Sequence, residues 1–143
     1  MDTIRVVAGV NLVDIGGTPH VLLGLKSSGN WEFPGGKVKE GESDKMALER
    51  EWIEELNTTV ETGMKISTMM SSIYEVAFYN VELKHTDQES IPESIEHIEV
   101  QYHPLERSMG TLTMNDVNRA ILEQIYNEYG DKNAFMEDPF VVA

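Results

Sequence analysis

Residues 31–58 read WEFPGGKVKEGESDKMALEREWIEELNT. Trp31-Glu32-Phe33 is short and aromatic, and reads as a strand running into the turn Pro34-Gly35-Gly36. A polar loop follows, and then the clearest helix of the chain, Ser43 to Leu56. Ser43 can cap its first turn, and Asp44 suits the positive end of the helix dipole. Ala47, Leu48, Trp52 and Leu56 fall on one apolar stripe at helical spacing. Asn57 can close the helix in the left-handed conformation. Thr58-Thr59-Val60 is β-branched and does not continue it.

The polar face of that helix carries the chemistry. Glu51 and Glu55 are four residues apart, and Glu51 and Glu54 three apart, so the carboxylates share a face. Packed carboxylates repel, and a cation relieves them. Hard oxygen ligands favour magnesium or manganese over zinc. Arg50 can reach a neighbouring carboxylate and fix its rotamer. Lys37 and Lys39, on the facing loop, can hold phosphate oxygens. An acidic, solvated helix face would read the same way if Glu51, Glu54 and Glu55 stood alone. Counting in the glycine turn, Glu42 and Arg50 tips the reading towards a site.

Upstream, Ile4 to Val13 is apolar and β-branched, and reads as one buried strand. Asp14 to Pro19 is a turn, His20 to Leu25 a second strand, and Lys26 to Asn30 a loop. Downstream, Ile66 to Leu83 leans towards strand, Lys84 to Ser94 reads as a loop or hairpin tip, and Glu96 to Leu105 as a strand with Ile98, Val100 and Tyr102 alternating. Asn115 to Tyr129 is a second helix, with Val117, Ile121, Leu122 and Ile125 on one face and Gly130 ending it. Phe135, Phe140, Val141 and Val142 suggest that the tail docks. Strands, helix, strands, helix argue for an α/β or α+β arrangement with a sheet between helices.

The 143 residues favour one domain. Eleven basic residues against 25 acidic ones give a formal charge of -14, which repels nucleic-acid polymers but tolerates a small nucleotide arriving with metal. There is no cysteine, so disulfides and thiolate zinc sites are excluded. The opening Met1-Asp2-Thr3-Ile4-Arg5 lacks a basic stretch leading into an apolar run, and no segment approaches the length of a membrane span. The expectation is a cytoplasmic protein without a membrane partner, as a monomer or homodimer. His20, His85, His97 and His103 make no ligand spacing and are assigned no catalytic role.

Gly36, Glu42, Arg50, Glu51, Trp52, Glu54 and Glu55 together resemble the Nudix box, G-x5-E-x7-R-E-U-x-E-E-x-G-U, with U aliphatic or bulky and apolar. Every charged position matches. Asn57 replaces the last glycine and Thr58 the last apolar residue. Trp31 to Lys37 looks like the approach to the box in the MutT-type branch. The resemblance implies an α/β/α sandwich around a mixed sheet, and a single domain over residues 1–143 with its box at 36–58. It also implies magnesium-dependent hydrolysis, with manganese a substitute, of a nucleoside diphosphate linked to another group. Glu51, Glu54 and Glu55 become metal ligands, helped by the carbonyl of Gly35, with Glu96 or Glu99 joining from near the last strand. Arg50 orients a ligand carboxylate, and Glu42 supports the loop. The general base is Glu55 ahead of Glu99 and Glu96. Lys37 and Gly36 would meet phosphate. Asn115 would meet a base or simply cap its helix, and Trp31 and Tyr74 would stack on a base or pack in the core. The leading reading is conversion of a (d)NTP, or a modified dNTP, to (d)NMP and pyrophosphate. ADP-ribose, dinucleotide polyphosphate or nucleotide-sugar hydrolysis is the alternative. A non-catalytic binding module ranks last, because such modules lose box carboxylates and none is missing.

Overall fold

The computed structural model describes residues 2–84 and 97–129. Its first strand is interrupted. Instead of one strand over residues 4–13 there are two, β1 (Ile4–Val10) and β2 (Leu12–Ile15), belonging to different sheets. Asn11, fully buried between them, causes the change of sheet. Its Nδ2 donates to the carbonyl of Val81 (2.9 Å), and its Oδ1 accepts the Tyr102 hydroxyl (2.6 Å). Its own carbonyl accepts from Leu22 N (3.3 Å). A buried amide must be satisfied, and no regular strand position offers these partners together. Burial pushes the Tyr102 hydroxyl up to about 12, so it stays a proton donor to Asn11.

β2 turns into β3 (Thr18–Leu25) through Gly16 and Gly17, with φ of 62° and 82°. Positive φ at both centres is the twist-matched two-residue hairpin, which explains the paired glycines. The expected Trp31 strand is β4 (Trp31–Glu32), and the glycine turn continues into β5 (Gly35–Lys37). Helix α1 runs from Asp44 to Leu56, capped by Ser43 Oγ accepting from Met46 N (3.2 Å). Asn57 closes it at φ 50°, ψ 40°, the left-handed role expected of it. Thr58 is buried, with its hydroxyl bonded to the Leu56 carbonyl (2.8 Å), so the position tolerates a polar residue.

Beyond α1, one long hairpin joins β6 (Val60–Ser71) to β7 (Tyr74–Leu83); the sequence pattern found only its part from Ile66 onward. β8 (Glu99–Pro104) is followed by a seven-residue helix α2 (Leu105–Thr111) that the periodicity did not indicate. Helix α3 (Asp116–Tyr129) matches expectation, while Gly130 and the tail lie outside the described residues, as does most of the Lys84–Ser94 loop.

One sheet has the order β5-β1-β7-β6, with β1 and β7 parallel and the other pairs antiparallel. The second is built on β3, which pairs with β2, β4 and β8. Val7, Ala77, Leu48, Trp52 and Leu56 form the core on the α1 side. Ala8, Val10, Phe33, Phe78, Ile121, Leu122 and Ile125 form the core on the α3 side. Each fully buried Leu or Ile contributes about 1.5–3 kcal/mol, enough for a few side chains to fix each helix on its face. The result is an α/β/α sandwich around mixed sheet. No helix of the described residues is long and apolar enough to cross a membrane.

Candidate active site

Arg50 organises the acidic face of α1. Its Nε and Nη2 grip both oxygens of Glu42 (2.7 and 2.9 Å), and Nη2 also donates to the Lys37 carbonyl (3.0 Å). Its Nη1 donates to Glu51 (2.9 Å) and to Glu54 (3.0 Å). One guanidinium thus ties the loop to the helix through a fork that lysine could not reproduce. Glu42 receives a further bond from Lys39 N (2.8 Å). The Arg50 bonds, helped by that amide, hold the Glu42 carboxyl down at about 2, and the Glu42 bond in turn raises Arg50 above its ordinary range. At the helix start, Asp44 takes the Tyr79 hydroxyl (2.6 Å) and pairs with Arg5.

The two glycines are there for close approach. A Cβ on Gly35 would collide with the carbonyl of Val7 on β1, and one on Gly36 with the carboxylate of Glu51. The Glu51 carboxylate therefore lies directly on the backbone of β5. Trp52 packs on Gly9 and donates from Nε1 to the Pro34 carbonyl (3.1 Å), which fixes the helix against the turn. Of the three glutamates, Glu55 is buried, Glu51 mostly so, and Glu54 half exposed. Among the described residues, no three acidic or histidine side chains converge as a ready-made metal cage, since Arg50 engages Glu51 and Glu54. The donors nonetheless fit a hard divalent ion in kind: carboxylate and carbonyl oxygens, with the Glu51 carboxylate packed against the Gly36 backbone.

Next to Gly36 a cleft of about 280 Å³ opens, lined by β1, β5 and the β6–β7 hairpin, by Lys26 and Glu32, and by the start of α3. Gly35, Gly36, Phe33, Phe78, Tyr74 and Asn115 are among its lining residues. Asn115 takes the helix-capping role and also stands in the cleft wall. Its Oδ1 caps α3, accepting from Asn118 N (2.9 Å), while the residue lines the cleft. Tyr74 also lines the cleft and is partly exposed, whereas Trp31 packs edge-on against His103 (4.4 Å) and into the core. Lys37 is exposed and is not among the residues lining the cleft. Glu99 is exposed at the start of β8, where it accepts from Gln101 Nε2; Glu96 lies outside the described residues.

Four polar residues of this region are given no role in the sequence reading. Lys26, Glu32 and Asn118 line the cleft, and His97 bonds Glu32 from behind. Asn118 accepts from Phe33 N (3.4 Å) and donates to Asn115 (2.9 Å). Its place three residues beyond Asn115, on the same helix face, was a usable signal for it; the others meet only through sheet pairing.

A family model described as the NUDIX domain matches residues 3–125. No curated protein matches the chain. Among solved structures, a MutT protein from Methanosarcina mazei Go1 is 25% identical, with 89% of this chain and 95% of that one covered at a TM-score of 0.71. A MutT from Aliivibrio salmonicida or Vibrio cholerae is 22% identical, covering 88% and 98%, with a TM-score of 0.74. An Ap4A hydrolase from C. elegans is 19% identical, covering 87% and 96%, with a TM-score of 0.69.

Proposed function

Since the chain belongs to the Nudix family, we propose that it is a MutT-type pyrophosphohydrolase that converts a (d)NTP, or a modified dNTP, to the monophosphate and pyrophosphate. The observation that carries this reading is the contact of the Arg50-held Glu51 with Gly36, which together with Gly35 lines a cleft. A cleft of about 280 Å³ suits one nucleoside, being at the small end of ligand pockets.

Glu51, Glu54 and Glu55, with the carbonyl of Gly35, would hold magnesium or manganese. When bound, the ion supplies charge to offset the polyphosphate and makes water more acidic. The chain's own residues do the rest. Tyr74, Phe33 and Asn115 hold the base and sugar in the cleft, so that the phosphates extend over Gly35 and Gly36 towards α1. Arg50 keeps Glu51 and Glu54 in place by its fork. Glu55, buried at the end of that row, accepts the proton of the attacking water, for which a desolvated carboxylate is suited. Glu42 carries no step; it anchors Arg50.

The test is phosphorus NMR of the products from dGTP, 8-oxo-dGTP, dCTP, dUTP, ADP-ribose and Ap4A with magnesium. The expected result is dNMP plus pyrophosphate from a triphosphate. A much higher kcat/KM for ADP-ribose or Ap4A would transfer the assignment to the alternative branch, and release of dNDP plus phosphate would overturn the proposed site of attack.

A further inference from the structure

His97 carries no function in the account above, yet it is built into the cleft wall. Its side chain is 3% exposed, and Nε2 lies 2.9 Å from Glu32 Oε2. An ionised carboxylate only accepts, so Nε2 carries the proton of this bond. The ring packs against Gly24 of β3, where a Cβ would stand 2.6 Å from its Cγ and Cδ2 carbons. Gly24 pairs with Glu32 across β3 and β4, so the glycine, the imidazole and the carboxylate form one layered unit. Glu32 lines the cleft and is partly exposed there. Its other oxygen, Oε1, faces Lys26 Nζ at 3.8 Å, beyond hydrogen-bond length, and keeps its capacity to accept.

We propose that His97 is a positioning residue that holds Glu32 as a fixed hydrogen-bond acceptor for an exocyclic amino group of the substrate's base. The proposal rests on the cleft being the nucleoside site. A carboxylate free to rotate would turn towards water, whereas Lys26 already stands beside Oε1 as a loose ion-pair partner. Held by His97, it presents Oε1 to the cleft at no cost in rotamer freedom when the base arrives. Paired with an amino group, the carboxylate is satisfied; opposite a keto oxygen, two acceptors face each other. A site built to bond a donor rejects an analogue lacking it far better than an apolar site would. Cytosine therefore fits where uracil does not.

The experiment compares kcat/KM for dCTP and dUTP, with magnesium, in the wild type and in His97→Leu, His97→Gln and Gly24→Ala. The wild type should favour dCTP by about 10-fold or more. His97→Leu should cut that ratio to near unity, mainly by raising KM for dCTP, while pyrophosphate release from dUTP persists. Gly24→Ala, which displaces the ring without removing it, should reduce the ratio in the same direction. His97→Gln, which keeps a donor, should restore much of it. If His97→Leu does not fold, Gly24→Ala and His97→Gln carry the test. Equal loss on both substrates, or a lowered Tm with the ratio unchanged, overturns the proposal and leaves His97 a packing residue, as does a wild type that favours dUTP. A wild type inert on every nucleotide overturns the functional reading itself, and this inference with it.

Discussion

Glu54 and Glu55 are neighbours in sequence in different surroundings: Glu54 is half exposed and held by Arg50, Glu55 buried. Replacing either by glutamine preserves shape and removes charge. Each change should lower kcat by roughly 10²-fold or more, the scale of a lost general base or key electrostatic contact. Tm should be unchanged or higher, and kcat near the wild-type value at saturating magnesium would remove that residue from the site. Glu42 makes a prediction about acid. Its carboxyl is held down at about 2 by Arg50, against an ordinary value of 4.5. A depressed carboxyl stabilises the fold at pH above the unfolded value, and that stability drains away as pH falls from about 4.5 through about 2. Melting curves over this window should show a steep decline in the wild type and a shallower one in Glu42→Gln. The Arg50 cluster was legible in the sequence because helical spacing places Glu51 and Glu54 beside it and one short loop returns Glu42. The pairing of His97 with Glu32 was not, because it spans 65 residues and depends on the register of β3 with β4.

The element that sets the geometry of the face, α1, is bounded by two side chains rather than by its propensity. Ser43 satisfies the Met46 amide at one end, and Asn57 sits in the left-handed region at the other. Asn57→Gly should be neutral or stabilising, while Asn57→Val should cost about 1–2 kcal/mol, because a β-branched residue resists positive φ. Chemical denaturation of the two variants checks this. Both long helices were readable because their apolar stripes repeat over three or more turns. The break at Asn11 was not: an amide inside an apolar run looks like a strand interruption only once Val81, Leu22 and Tyr102 are known to surround it. The first half of β6 escaped for a different reason. It is an edge strand with register shifts between Thr62 and Lys65 and between Lys65 and Ser67, so its burial does not alternate. Helix α2 is too short for a period to show.

Across the whole molecule the formal charge of -14 sets the response to divalent ions. An ion that binds the folded carboxylate face and not the unfolded chain raises stability by mass action, about 2.7 kcal/mol at a hundred times its Kd. Magnesium should therefore raise Tm in a saturable way, and the Glu54→Gln and Glu55→Gln variants should respond less. Excess chelator should abolish turnover and leave the far-UV circular dichroism intact, since the apolar cores on both sides of the sheet hold the fold without metal. The placing of β1 also bears on how the chain is made. This strand, rich in valine, lies between β5 and β7, both of which follow it in the chain. On the ribosome, β1 has no β7 to pair with until residues 74–83 have been translated, which at roughly 5–20 residues per second takes several seconds. Through that interval its only strand partner already made is the three-residue β5. The nascent chain is thus most exposed to chaperones and proteases before the β6–β7 hairpin has emerged, although every partner of the Arg50 cluster has by then been made.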